Sequence, residues 1–454
     1  MQRMILATAV ALTALGSLTT ASAQSNTFSV DCNRGQKIAV ALEQGDFRKP
    51  LVISLRGTCR EFVNITRANV TLRGDPTAEI VAPNSNSDLL IVSSDRVALE
   101  NLTLTGGLAG IAQEHAPTFV ARNVVVQDTS GIGVRVRAGD ARLIGCTVQR
   151  AGGIGVSAVR GGSVVLSGSS EVLDSAGAGV SAAGSSLVNL VGSKVMRSGA
   201  QGVLLTENSQ GTITSAVTNS GTIPSTISDN TLNGVEAATN SQATVNGSTI
   251  SGNGSRGILL SQGSQGQIVG SMVSHNGGAG IMVESGGHAT IVDNTITANG
   301  TDPSAPWRMG VMVASADAEF IENTISNNPG DGVWAERARI DWSGGTVTGN
   351  GGSGFNGLFA ANLSIQANPT TISGNHGHGI LLSQNSVAVL GTVQVRNNAG
   401  WGIAVIQGSY VFLGQTSASG NSGGVDLYCA DRESSYEGAF VTGTIDPNCT
   451  DFNN

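Results

Sequence analysis

The chain has 454 residues, among them 63 glycines, with 12% charged and 4% aromatic residues and a net charge of −8. A negative chain whose only lysines are Lys37, Lys49 and Lys194 argues against nucleic acid and anionic membrane surfaces as partners. Frequent Val, Ile and Leu argue against disorder.

The first 23 residues read as a secretory leader. Arg3 supplies a positive start, Ile5 to Leu18 an apolar run, and Ala21-Ser22-Ala23 a small-residue cleavage site. The mature chain is expected to begin at Gln24, outside the cytoplasm of a bacterial cell. No later stretch is long and apolar enough to insert into a membrane. Next, "RGQKIAVALEQG" (34–45) places Ile38, Ala41 and Leu42 on one helical face. Five cysteines in an exported chain suggest disulfides. Cys32 and Cys59 lie near the mature N-terminus, and Cys429 and Cys449 near the other end. Each pair is expected to close a local loop, removing about 3–4 kcal/mol of unfolded-state entropy. Cys146 is left over.

From about residue 60 the chain repeats. A Gly followed by Val, Ile or Phe anchors each unit: Gly133, Gly155, Gly179, Gly202, Gly234, Gly257, Gly280, Gly310, Gly332, Gly354, Gly379, Gly402 and Gly424. Most spacings are 22–25 residues, with longer ones before Gly234 and Gly310. Positions +1 and +3 from the anchor are apolar while +2 and +4 vary, which is the period of a strand with one inward face. Val or Ile recurs at −7. Asn recurs at −4, from Asn230 to Asn398, and is expected to take a left-handed turn conformation. Glycines at −2 and 0 suit a tight corner. Units this short cannot bury an apolar face alone, so they must stack. No helical period separates the strands. The pattern therefore predicts an all-β solenoid, a parallel β-helix of about 22–25 residues per turn.

Repeats such as "NGGAGIMVESGGHATIVDNTI" (276–296) make the chain resemble the secreted right-handed parallel β-helix proteins of the pectate-lyase-like superfamily. The resemblance spans roughly residues 60–428. It implies that the helix within 24–59 is a short N-terminal capping helix and that 429–454 covers the far end, since the open edges of a solenoid need covers. Cys146 shares the −9 slot with Ser170, Ser193, Ser248, Ser271 and Asn323, which makes it a buried ladder residue.

Equivalent positions on adjacent turns stack about 4.8 Å apart, so a site can be sought column by column. The +2 column should face outward and carries Leu259, Met282, Met312 and Trp334, an exposed apolar strip. In the +4 column Glu284 and Glu336 flank Ala314, two rungs or about 9–10 Å apart. That separation suits an acid and a base in inverting glycoside hydrolysis, which makes the two the catalytic candidates. The insertion "GTDPSAPWRMG" (300–310) brings Trp307 and Arg308 beside them, with Arg337 and Asp341 following. Tryptophan offers a face to a sugar ring, and arginine pairs with a uronate carboxylate. Asp293 and Glu322 should stack on adjacent turns. Two such acids can attract Ca2+, although a solvated pair of like charges is the simpler expectation. No zinc spacing, P-loop or dinucleotide fingerprint is present, so the pattern requires no metal or cofactor.

Gly377-His378-Gly379 spells the G-H-G of polygalacturonases, but the Asp-Asp pair and Arg-Ile-Lys of that family are absent. His378 fills the −1 slot, which holds Ile154, Gln201, Arg256, Asp331, Ser353 and Trp401 in other turns and so tolerates almost anything. His378 is expected to stack beside Trp401 at one end of a groove. Two functions fit the pattern. One is an exported protein that binds, and processes if it is a lyase or hydrolase, an extracellular polysaccharide. The other is a structural or adhesin-like solenoid.

Overall fold

The computed structural model describes residues 25–115 and 118–452. The leader reading, on residues 1–23, lies outside the described residues. Each turn of the chain lays down three short strands. Strand Val156–Val159 pairs in parallel with Val180–Ala183 of the next turn, Ser163–Ser167 with Leu187–Val191, and Glu171–Leu173 with Lys194–Met196. Strands of the first kind, which begin just after each anchor, form a 16-stranded sheet. The other two kinds, joined by a short bend, form one 30-stranded sheet. The result is a right-handed parallel β-helix. Its inward positions alternate with half-exposed ones, as in the buried-intermediate pattern of Ser163–Ser167. One continuous core runs from Val30 to Cys429.

Corners rather than strands show how this sequence is held. The asparagines at −4 are not the left-handed residues. Those stand one place earlier: Asp229 has φ 57°, His275 56°, Asn327 56° and Asn397 55°. The left-handed corner at −5 turns the next side chain inward, where Asn230, Asn253, Asn276, Asn299, Asn328, Asn350, Asn375 and Asn398 are almost fully buried. Each donates Nδ2 to Oδ1 of the next, at 2.9 Å from Asn253 to Asn276 and 2.8 Å from Asn276 to Asn299. The same oxygen accepts the backbone N–H of the previous asparagine, so every amide in the file is used.

A second ladder runs through the −9 slot. Cys146 N donates to Ser170 Oγ at 3.0 Å, Ser248 N to Ser271 Oγ at 3.1 Å, and Asn294 N to Asn323 Oδ1 at 3.0 Å. Burial pushes the Cys146 thiol up, away from the reactive thiolate. A third file, Ser186–Ser209–Ser241–Ser264, was not singled out from the sequence. At −5, Arg150 pairs with Asp128 and Arg197 with Asp174, each Nε–Oδ1 at 2.7 Å. These pairs are half-exposed, so solvent screening leaves them little weight in the stability of the stack.

Both ends depart from the expected boundaries. The helix within 34–45 is five residues long, Ile38–Leu42, with Ile38, Ala41 and Leu42 buried as the pattern requires. It is kept short by left-handed Gly35 and Gly45 on either side. Strand Asn26–Asp31 already pairs with Leu51–Arg60, and Ser435–Gly438 still pairs with Tyr410–Leu413, so the large sheet extends into both segments read as caps. Disulfides join Cys32 to Cys59 and Cys429 to Cys449.

Candidate functional site

The outer face of the 16-stranded sheet carries the residues of interest. Registers are those the columns require: Leu259 pairs with Met282, Met282 with Met312, Met312 with Trp334, and Trp334 with Asn356. The strip is not exposed, however. Leu259, Met282 and Met312 are 8%, 3% and 2% accessible, with Trp307, Ala314 and Trp334 packed against them as a separate cluster outside the main core. These residues form an apolar floor on the outer side of the sheet. Its cover, Trp307 from the 300–310 insertion, belongs to the same chain. Arg308 braces that insertion by donating Nε to Gly300 O at 2.9 Å.

Glu284 and Glu336 lie opposite Ala314 on its two sides. Glu336 is paired with Arg337 at 2.8 Å, and Arg337 also lies 4.9 Å over the Phe359 ring. Arg337 therefore neutralises its neighbour instead of standing free for a ligand. Asp341 is turned away onto the large sheet, where it pairs with Arg339 at 2.9 Å. It lines a cavity of about 290 Å³ with His288, Asp317 and Glu319. Asp293 and Glu322 do occupy adjacent turns, but Glu322 accepts Asn368 Nδ2 at 2.9 Å. Among the described residues no group of three or more His, Cys, Asp or Glu is arranged to hold a metal ion.

Two residues of this face escaped the sequence reading. Arg256 lies along the strip, its Nε 3.1 Å from Met282 Sδ, and no carboxylate of the described residues forms an ion pair with it. Asp331 is partly buried beside Asn356, from whose Nδ2 it accepts a bond at 3.0 Å, and desolvation raises its carboxyl above the usual range. Nothing in a one-dimensional column marks either residue. Arg256 and Asp331 stand in the −1 slot that looked indifferent.

At four turns the side chain in that slot has a defined role. Ser353 N donates to Asp331 Oδ1, His378 N to Ser353 Oγ at 3.2 Å, and Trp401 N to His378 Nδ1 at 3.1 Å. Further back, Arg256 N donates to Asn233 Oδ1 at 3.0 Å. At these turns the side chain at −1 accepts the backbone N–H of the next turn, which no sheet ladder satisfies. His378 is thus present as an acceptor and is not an arbitrary occupant. Its ring stacks on Trp401 (centroids 5.0 Å, 7° between planes), and Trp401 stacks on Tyr428 (3.8 Å, 7°). Both faces of Trp401 are covered, so this stack offers a ligand only ring edges. The last turn is also re-registered. Tyr428 pairs with Ala404 and so belongs to the +2 column, because Asp426, not Gly424, sits in the anchor position.

Residues 178–305 and 304–441 match the family described as the right handed beta helix region. The chain belongs to the right-handed β-helix family. Among solved structures, this β-helix is similar to the A-module of the mannuronan C-5 epimerase AlgE4 of Azotobacter vinelandii. The two are 15% identical over 71% of this chain and 96% of that one, with a TM-score of 0.51. The periplasmic alginate epimerase AlgG follows at 11% identity, 75% and 81% coverage and a TM-score of 0.39. An alginate lyase from Paenibacillus sp. str. FPU-7 gives 13% identity, 81% and 99% coverage and a TM-score of 0.29. No curated protein matches the β-helix in sequence. Identities this low reflect the shared coil alone.

Proposed function

We propose that this β-helix is an exported protein that binds an extracellular polysaccharide along the outer face of its 16-stranded sheet. The observation that carries the reading is the Trp307–Met312–Trp334 cluster, a built apolar and aromatic patch outside the core, with unpaired Arg256 alongside. Tryptophan supplies ring faces for sugars, and an arginine without a carboxylate suits acidic units. The β-helix epimerase whose coil it shares is named for mannuronan, itself a polysaccharide. Two disulfides fit an oxidising compartment outside the cytoplasm. If the face is also catalytic, Glu284 and Glu336 are the acid–base pair two rungs apart.

The test is binding to a panel of uronate and neutral glycans, with absorbance at 235 nm and reducing ends followed for chemistry. Trp334→Ala is expected to weaken binding about tenfold or more, and Trp334→Phe, which keeps a ring, much less. No binding to any glycan would sink the proposal and favour a purely structural solenoid. Turnover that survives Glu336→Gln would remove that residue from the chemistry.

A further inference from the structure

The −1 column from Asp331 to His378 is a relay in which each side chain accepts the N–H of the turn after it, ending on the Trp401 N–H. Its members differ in what a proton does to them. A protonated carboxylic acid still has an oxygen that accepts, and a serine hydroxyl does not titrate. An imidazole that accepts at Nδ1 must carry its proton on Nε2, and imidazolium has no acceptor left. His378 is therefore the only link that acid can break.

The surroundings are built around that ring. Gly400 has no side chain, and a Cβ there would lie 2.5 Å from His378 Nδ1. Gly423 leaves room in the same way for the pyrrole edge of Trp401. The groups facing His378 are Ser353 on the turn before and Trp401 on the turn after, with Tyr428 beyond it. The neighbouring ionisable groups are exposed His376 on its own turn, Asp331 behind Ser353, and Asp426, which is buried and engaged by Thr444 and Asn421. None of these acids forms an ion pair with the imidazole, so nothing nearby compensates a positive charge.

We infer that His378 is an acid-sensitive clasp. Protonation turns Nδ1 from acceptor to donor against the Trp401 N–H and releases the Trp401–Tyr428 end of the sheet face, where the segment closed by Cys429–Cys449 begins. Burial lowers the pKa of His378, which keeps the clasp shut at neutral pH. This inference does not depend on the ligand proposed above.

The experiment is hydrogen exchange of the full-length chain over residues 398–428, with tryptophan fluorescence, from about pH 7.5 to about pH 4.5 and corrected for intrinsic exchange rates. The wild type is expected to lose about tenfold protection at the Trp401 amide, with a midpoint below 6.5, the ordinary histidine value. His378→Asn keeps an acceptor that does not titrate, as Asn233 does for Arg256, and is expected to stay protected throughout. His378→Phe keeps a ring without an acceptor and is expected to be unprotected at every pH. Asp331→Asn should leave the transition in place. A flat wild-type profile, a transition that persists in His378→Asn, or one abolished by Asp331→Asn would each overturn the inference.

Discussion

Replacing Asn276 with alanine tests the corner ladder at its centre. Four hydrogen bonds depend on its side chain. Nδ2 donates to Ile250 O at 3.2 Å and to Asn299 Oδ1 at 2.8 Å, while Oδ1 accepts Asn253 N at 3.1 Å and Asn253 Nδ2 at 2.9 Å. Asn253 Nδ2 keeps its bond to Ile227 O, and Asn299 Oδ1 keeps the Asn276 N–H. The group left with nothing is the buried Asn253 N–H, which costs about 1–3 kcal/mol; the three other bonds add roughly 0.5–1.5 kcal/mol each. The expected loss is roughly 2.5–7.5 kcal/mol, carried by the turns on either side because a solenoid is coupled mainly to its neighbours. Asn276→Asp keeps the acceptor but buries a charge with no cation beside it, and should be at least as damaging. Thermal unfolding followed by circular dichroism, with hydrogen exchange at residues 250–300, measures both. A loss below about 1 kcal/mol for Asn276→Ala would refute the view that the asparagines hold the stack by side-chain bonding and would return them to the role of turn formers.

Two further outcomes follow from the −1 column. Gly400→Ala should drive its new Cβ into the His378 ring, break the stack and change Trp401 fluorescence at neutral pH, whereas Gly286→Ala, which meets nothing within 4 Å, should leave that fluorescence unchanged. The pH dependence of stability should show two opposed contributions. The folded pKa of His378 is lowered, so its contribution is complete above 6.5 and is lost as pH falls through the folded value. The folded pKa of Asp331 is raised by burial, so stability falls as pH rises from 3.8 through the raised value. Asp331→Asn removes that second slope. Melting temperature plotted against pH should show the variant gaining on the wild type across that window, and parallel curves would contradict the assignment.

The period-2 pattern, the recurring glycine and the 22–25-residue spacing determined the solenoid, its registers up to the last turn, and the stacking of His378 on Trp401. A repeat determines which residues become neighbours on successive turns, because stacked turns bring equal offsets together. It also made Cys146 a ladder residue, since the same slot holds serine or asparagine on the turns that follow it as far as Asn323. What the repeat does not carry is direction and cover. Asn at −4 looked like a turn residue, because left-handed backbone and buried amide favour the same amino acid; only the dihedral angles put the bend one place earlier. The Leu259–Met312 strip looked exposed because a column contains no information about an insertion folding back, and Trp307 lies outside the repeat. The −1 slot looked indifferent because it also holds Ile154, Gln201, Arg256 and Trp401, and because its asparagine, aspartate, serine and histidine share no size or charge. They share an acceptor atom, and only the fold shows the N–H that each of them meets.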